Sequence, residues 1–242
     1  MTTLNLISQE EYNNMKPVEN TYRYPCTKHT KWCFVNKHSE PEYGDRYQKK
    51  PMFICCKKNL LKIFKDFHKA AKIFNLDFFL SYGSLLGCVR NNSMIPWDAD
   101  IDITVNVRDI EKINKVFKLL SIDYKVELKR AISRIYLSNT NCIHLDVYML
   151  YTTNNMYYDV YVRRNKKMLF NHDLIYPLQK AKFEGFDVYI PNKYEEMLTT
   201  IYGNRCIELY LSKDNYSITG KDENNSFPKT EVWNNLVEKL YN

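Results

Sequence analysis

The sequence predicts an α+β fold in one large domain with flanking segments, and three observations carry that prediction. Leu60, Leu61, Ile63, Phe64, Phe67, Ala70, Ala71 and Phe74 recur at three- and four-residue spacing, as one buried stripe of a helix requires. Ile101, Ile103 and Val105 alternate with Asp100, Asp102 and Thr104, the period of a half-buried strand. The chain has 242 residues, 45% of them hydrophobic and 26% charged, which is an ordinary globular balance with enough length for a real core.

The elements follow in order. The first fifty residues hold Pro17, Pro25 and Pro41 and no sustained periodicity, so they read as an irregular segment that needs a staple other than a core. The helix from Leu60 to Phe74 comes next, then the apolar run Phe78-Phe79-Leu80, a glycine turn at Tyr82-Gly83-Ser84-Leu85-Leu86-Gly87 and a polar loop from Arg90 to Ser93. The strand over 98–105 is followed by a helix over 109–120 carrying Ile110, Ile113, Val116, Phe117 and Leu120. Two strands are predicted near 132–138 and 143–150, and a strand pair around Phe183 to Ile190. A short helix from Tyr194 to Tyr202 closes at Gly203, a natural left-handed cap. The stretch from Ser212 to Asn225 is polar, with a last short helix near Glu231 to Leu240. The expected division is 1–56 as the irregular segment, 57–211 as the main domain and 212–242 as a tail.

Composition excludes some functions. No window approaches the roughly 18 uninterrupted apolar residues of a membrane helix, and Met1 to Glu10 lacks the basic start and apolar stretch of a secretory signal, so a cytoplasmic location is expected. Lys plus Arg total 35 against 28 Asp plus Glu, a net charge of +7 that favours anionic partners. The basic residues are interleaved with acids, as on a solvated helix face, and nucleic acid is not an expected partner.

The chemistry concentrates on three acids. Asp100 and Asp102, at i and i+2 on a strand, are about 7 Å apart and point the same way, so their oxygens can converge on cations. Asp146 lies on the polar side of a second strand, where His144, Asp146 and Tyr148 alternate with Leu145, Val147 and Met149. Three carboxylates make a hard oxygen set of the kind Mg²⁺ or Mn²⁺ prefers. An Asp-x-Asp pair alone would more often be the wet face of an edge strand. Here, though, two of the six glycines, Gly83 and Gly87, flank Ser84 shortly before the pair, and Gly83, Ser84 and Arg90 suit a phosphate. His144 either touches substrate or is a satisfied polar-face residue; Trp97 either stacks on a base or packs.

This Gly-Ser, spacer, Asp-x-Asp, distant Asp order is similar to the nucleotidyltransferase fold, a mixed sheet flanked by helices. The run from Tyr82 through Arg90, with Ile95-Pro96-Trp97-Asp98-Ala99-Asp100-Ile101-Asp102, resembles the LicD and fukutin family of phosphotransferases more specifically. Leu145-Asp146-Val147-Tyr148, Leu174 to Leu178, Phe183 to Phe186 and Pro191-Asn192 through Tyr202-Gly203 extend the resemblance, which covers roughly residues 50 to 205. Ala99 stands where many members carry an acid and is read as outside the metal shell.

The resemblance implies a metal-dependent transfer of a phosphorylated alcohol from a CDP-activated donor to a glycan hydroxyl, releasing CMP. Ribitol phosphate is the first choice, with glycerol phosphate or phosphocholine next. Asp100, Asp102 and Asp146 would hold Mg²⁺ or Mn²⁺, Gly83, Ser84 and Arg90 would seat the donor phosphates, and Asp98 would act as a supporting acid or as the base for the acceptor. Two rival readings are a nucleotidyltransferase that releases pyrophosphate from a triphosphate and a non-catalytic glycan- or nucleotide-binding relative.

Seven cysteines without a secretory signal point to metal or burial rather than disulfides. Cys26 and Cys33, separated by six residues, could join the adjacent Cys55-Cys56 around a tetrahedral Zn²⁺, which would be the missing staple. Cys26, His29, Cys33 and His38 are a competing set. The family resemblance implies the four-cysteine set, because members carry a zinc loop of that spacing. Cys88, Cys142 and Cys206 read as small core residues.

Overall fold

The computed structural model describes residues 9–14, 16, 26–30, 51–129, 132–153, 156–159, 168–203 and 206–208. A short helix, α1 (Gln9–Asn14), precedes the long helix α2 (Ile54–Ile73). Helix α2 buries the expected stripe of Leu60, Ile63, Phe64, Phe67, Ala70 and Ala71 and starts before it, at Ile54 just ahead of the Cys55-Cys56 pair. Its entry is pinned where the Met52 N–H donates to the Pro96 carbonyl at 2.9 Å. Its end is a left-handed Asn75, φ +51, after which the Leu76 N–H reaches back to the Ala71 carbonyl at 2.8 Å. Asparagine takes the place glycine usually fills there.

Strand β1 (Phe78–Leu80) and helix α3 (Tyr82–Asn91) come next, followed by β2 (Asp100–Asn106), a 3₁₀ turn at Val107–Asp109 and α4 (Ile110–Leu120). Then come β3 (Lys125–Glu127), β4 (Ile132–Tyr136), β5 (His144–Thr153), β6 (Met156–Asp159) and β7 (Met168–Asn171). After α5 (His172–Ile175), a separate hairpin of β8 (Gln179–Phe183) and β9 (Phe186–Ile190) leads to α6 (Tyr194–Tyr202). The main sheet runs β1-β2-β5-β4-β3, and β6 and then β7 extend it from the far end of β5. Strands β2 and β5 are parallel and every other described pair is antiparallel, so the sheet is mixed, as expected. Among the described residues no helix is long and apolar enough to cross a membrane.

The core lies on the sheet face opposite the acids. Ile101, Ile103, Val105, Leu145, Val147 and Met149 are at most 1% exposed, and α2 packs on β2 and β5. Phe64 of α2 meets Phe78, Phe183 and Phe186 edge-on at 6.2, 5.8 and 5.3 Å, which ties the hairpin to the sheet. Full burial of one such ring contributes about 1.5–3 kcal/mol over exposure, with about 0.5–1.5 kcal/mol more per aromatic pair.

Two local expectations change. The glycine turn is helical, since Gly83 and Gly87 lie inside α3. Gly203 does end α6, but with φ +89 and ψ 169, a positive-φ state other than the left-handed helical one. The hairpin turn at Glu184-Gly185 has positive φ at both central residues, +48 and +82, as the tight two-residue turn demands. Glutamate is an unusual choice there, and three bonds secure it. Its N–H donates to the Asn92 carbonyl at 2.8 Å, while Oε1 accepts from the Met94 N–H at 2.9 Å and from Lys57 Nζ at 2.7 Å. The hairpin thereby fixes the loop that runs from α3 into β2. The predicted helix near 231–240 lies outside the described residues.

Candidate active site

Strand register assembles the site. Asp100 stands beside His144 and Asp102 beside Asp146 across β2 and β5. Across β5 and β4, His144 faces Tyr136 and Asp146 faces Arg134. Side chains alternate along each strand, so these residues share one face of the sheet. Asp98, on the approach to β2, holds its own N–H on the Ile95 carbonyl at 2.9 Å. Ligand oxygens of Asp98, Asp100 and Asp102 lie within 4.8 Å of one another, and so do the ligand atoms of Asp100, His144 and Asp146. Asp100 belongs to both groups and is half-buried, while Asp98, Asp102 and Asp146 are buried.

Four carboxylates this close repel, and the chemistry of the donor set, hard oxygens with one imidazole nitrogen, fits a divalent cation such as Mg²⁺ or Mn²⁺. Burial pushes the Asp146 carboxyl above its ordinary range; Asp100 adds to that rise, against the opposing pull of His144 and Arg134. A bound dication would reverse that balance.

Both oxygens of Asp102 are held. Oδ2 accepts the Gly83 N–H at 3.1 Å, and Oδ1 accepts the Tyr148 hydroxyl at 3.2 Å. Its backbone N–H donates to Ser84 Oγ at 2.8 Å, which leaves the hydroxyl proton as what Ser84 can offer a ligand. A side chain at 83 has no room, because a Cβ there would lie 2.3 Å from Asp98 Oδ2 and 3.3 Å from Asp102 Oδ2. The glycine of this Gly-Ser pair therefore makes space for carboxylates. Tyr82 begins α3 at φ +46, a strained state for a residue with a side chain, and its ring lies 4.5 Å from that of Tyr148.

Burial, with the neighbouring Asp102 charge, raises the Tyr148 hydroxyl well above its ordinary pKa and keeps it a donor. Tyr148→Phe is expected to keep the fold and reduce turnover by about ten- to a hundredfold by freeing Asp102, as loss of a ligand's supporting bond typically does. Steady-state rates beside a thermal melt check this; unchanged rates would remove Tyr148 from the site's support.

His144 Nδ1 lies 2.8 Å from the Cys142 carbonyl, which only accepts, so Nδ1 carries a proton and Nε2 faces Asp146 Oδ1 at 3.3 Å. It is both satisfied and part of the site. Trp97 is 1% exposed and packs in the core. Arg90 lies in the last turn of α3, about 10 Å along the helix axis from Gly83, and its Nη2 donates to the Cys206 carbonyl at 2.6 Å.

The cation beside the acids is Arg134, whose Nε donates to Asp146 Oδ1 at 2.8 Å. Sequence reading missed it. Its signal is an arginine on the polar phase of β4, which carries meaning only once β4 is known to adjoin β5.

Cys33 and His38 lie outside the described residues, so neither zinc set is placed. Cys26 is buried, accepting from Asn141 Nδ2 at Sγ (2.9 Å) and from Asn59 Nδ2 at its carbonyl (2.6 Å). Cys88 and Cys206 are buried as expected. Cys142 is exposed, contrary to expectation, because it lies in the β4–β5 connection rather than on a strand.

Residues 75–193, which contain every acid of the site, match the family model described as LicD/FKTN/FKRP, nucleotidyltransferase domain. This part of the chain belongs to the LicD/FKTN/FKRP family. Similarity to individual members of known name extends further. The chain is 25% identical over 195 residues to human ribitol 5-phosphate transferase FKRP, covering 76% of this chain and 39% of that protein. The mouse protein of the same name is 24% identical over the same length. An uncharacterized Rickettsia prowazekii protein, RP689, is 29% identical over 139 residues, covering 55% of this chain and 50% of that one. The chain thus spans about two fifths of the curated ribitol 5-phosphate transferases it matches. Among solved structures, the chain has a partial likeness to the lincomycin-bound lincosamide antibiotic adenylyltransferase LnuA. That match has a TM-score of 0.41 at 14% identity, over 66% of this chain and 98% of that one. ANT(2")-Ia in complex with adenylyl-2"-tobramycin gives a TM-score of 0.39 at 13% identity, over 54% of this chain and 67% of that one.

Proposed function

We propose that the chain is a metal-dependent phosphotransferase that moves a phosphorylated alcohol from a CDP-activated donor to a glycan hydroxyl and releases CMP. Ribitol phosphate is the first choice of cargo, with glycerol phosphate and phosphocholine next. The observation that carries the reading is the convergence of Asp98, Asp100 and Asp102 beside Asp146, inside the segment that matches the LicD domain. The human and mouse relatives, each a ribitol 5-phosphate transferase by name, suggest ribitol phosphate as the cargo.

In this reading Asp100, Asp102 and Asp146 would hold one or two Mg²⁺ or Mn²⁺ ions. Bound there, the cation would neutralise diphosphate charge that otherwise repels an incoming oxygen. Ser84, in the first turn of α3, would turn its hydroxyl proton and the positive helix end to the donor phosphates, while Gly83, its N–H already on Asp102, leaves room beside the acids. The Tyr148 and Gly83 hydrogen bonds keep Asp102 aimed. The acceptor hydroxyl oxygen bonds to the phosphorus that bears the alcohol, and the bond from that phosphorus to the bridging oxygen breaks. CMP departs with the electron pair, and the acceptor proton passes to Asp98. No covalent enzyme intermediate is needed.

The test is a panel of CDP-ribitol, CDP-glycerol and CDP-choline with Mn²⁺ and a mixed glycan acceptor, weighed by mass spectrometry. Expected are CMP and an acceptor heavier by one alcohol phosphate. Pyrophosphate released from a nucleoside triphosphate, with no CMP from any CDP-alcohol, would replace this reading with nucleotidyl transfer.

A further inference from the structure

A donor diphosphate carries negative charge on both phosphates, so a cation at the edge of the acid cluster away from α3 would serve it. Strand order is β2, β5, β4, so the α3 end of the site and the β4 end are two strand spacings apart, about 10 Å. The β4 end carries Arg134. Its side chain is 34% exposed, whereas the Asp146 it grips is 5% exposed, so the guanidinium reaches from a buried carboxylate to the open rim of the site. The arginine is braced from its other side. Tyr136, beside the guanidinium, donates its hydroxyl to Glu127 Oε2 at 2.7 Å, and Lys129 Nζ lies 2.9 Å from Glu127 Oε1. Glu127 is thus engaged by Tyr136 and Lys129, although it is the β3 register partner of Arg134.

We infer that Arg134 is a phosphate-binding residue, taking the donor diphosphate at the β4 side of the centre while α3 takes it at the β2 side. This rests on the reading of the acids as a cation centre for phosphate transfer and names the residue that completes its anion side. Nε is one of five N–H donors on a planar fork suited to phosphate oxygens. Without ligand, Arg134 is a positive charge held on Asp146. Cations on Asp146 would loosen the guanidinium's hold there, and an arriving diphosphate would give it a new acceptor. Arg90, nine-tenths buried with Nη2 on the Cys206 carbonyl, is placed for packing α3 against the segment after α6.

The experiment measures two affinities on the whole chain, for Mn²⁺ alone and for inorganic pyrophosphate in the presence of Mn²⁺, in wild type, Arg134→Met and Arg134→Lys. Pyrophosphate presents the diphosphate without any base or alcohol, so the result does not depend on the cargo. Arg134→Met is expected to weaken pyrophosphate by about ten- to a hundredfold, as loss of a charge-assisted bond does. Mn²⁺ affinity should stay level or rise, because a competing positive charge has left Asp146. Arg134→Lys should fall between, keeping charge and losing the fork. If Arg134→Met does not fold, Arg134→Lys carries the same comparison against wild type. A parallel loss of Mn²⁺ and pyrophosphate would mean that Arg134 only supports Asp146, and would overturn the inference. So would unchanged pyrophosphate binding, or a wild type that binds none. CDP-alcohol turnover separates the two readings. Turnover in wild type with unchanged pyrophosphate binding in Arg134→Met removes only Arg134; the converse keeps the phosphate site and removes alcohol transfer.

Discussion

Asp100→Asn is expected to leave the protein folded and reduce CDP-alcohol turnover by more than about a thousandfold, the equivalent of about 4 kcal/mol of transition-state stabilisation. Asp100 belongs to both ligand groups, so its loss weakens whichever cation site the reaction uses. Asparagine has the same shape, and Asp100 is only half-buried, so the fold loses little. The variant should in fact melt at or above the wild-type temperature, because Asp100 is one of the charges that push Asp146 upward. A gain in stability with a loss of activity is the usual sign of a like-charge cluster kept for function. Turnover, Mn²⁺ binding and a thermal melt on one preparation decide the matter. Retained turnover would dismiss the carboxylate centre.

Gly83→Ala should be the next most damaging change to activity. The added methyl would lie 2.3 Å from Asp98 Oδ2, well inside contact distance. Asp98 must swing away, and the shift loads the Gly83 N–H bond to Asp102 as well. Displacing two carboxylates by even 1 Å is expected to cost about a hundredfold or more in rate. Stability should change little, since alanine is the better helix former by about 1 kcal/mol and offsets the strain. The control is Gly87→Ala. There the methyl would meet the Ser93 carbonyl oxygen at 2.4 Å and the Ile95 nitrogen at 3.0 Å. Both are backbone atoms of the loop into β2, so that variant should lose stability first, by about 1–3 kcal/mol or more. If both alanines behave alike in melts and rates, the distinction between the two glycines is wrong.

The parts of this protein that local pattern specifies were legible in advance. The stripe from Leu60, the alternation through Asp100 and Asp102, and the polar phase of Asp146 each follow from spacing alone, and they placed the acids on strands that turned out to be neighbours. Helix α3 was misread because two glycines and a serine mimic a turn, whereas burial of Leu85, Leu86 and Cys88 against the sheet decides for helix. Arg134 and Tyr148 were invisible as partners, since their roles depend on which strand adjoins which. Arg90 shows the reverse error. Its sequence neighbourhood suggested phosphate, but ten residues of helix carry it to the opposite end of α3. Proximity along the chain is a poor guide once a rigid rod intervenes.

The Glu184 turn separates two meanings of a minimal unit. Every acid of the centre precedes Val147, so a fragment chosen by its reactive groups alone could stop there. The loop that delivers Asp98 and Asp100 is nonetheless strapped from behind by Glu184, nearly forty positions beyond Asp146. Trimming from the C-terminal side would therefore slacken the catalytic geometry before it touched any ligand, and recombining this module with foreign partners must carry the hairpin along.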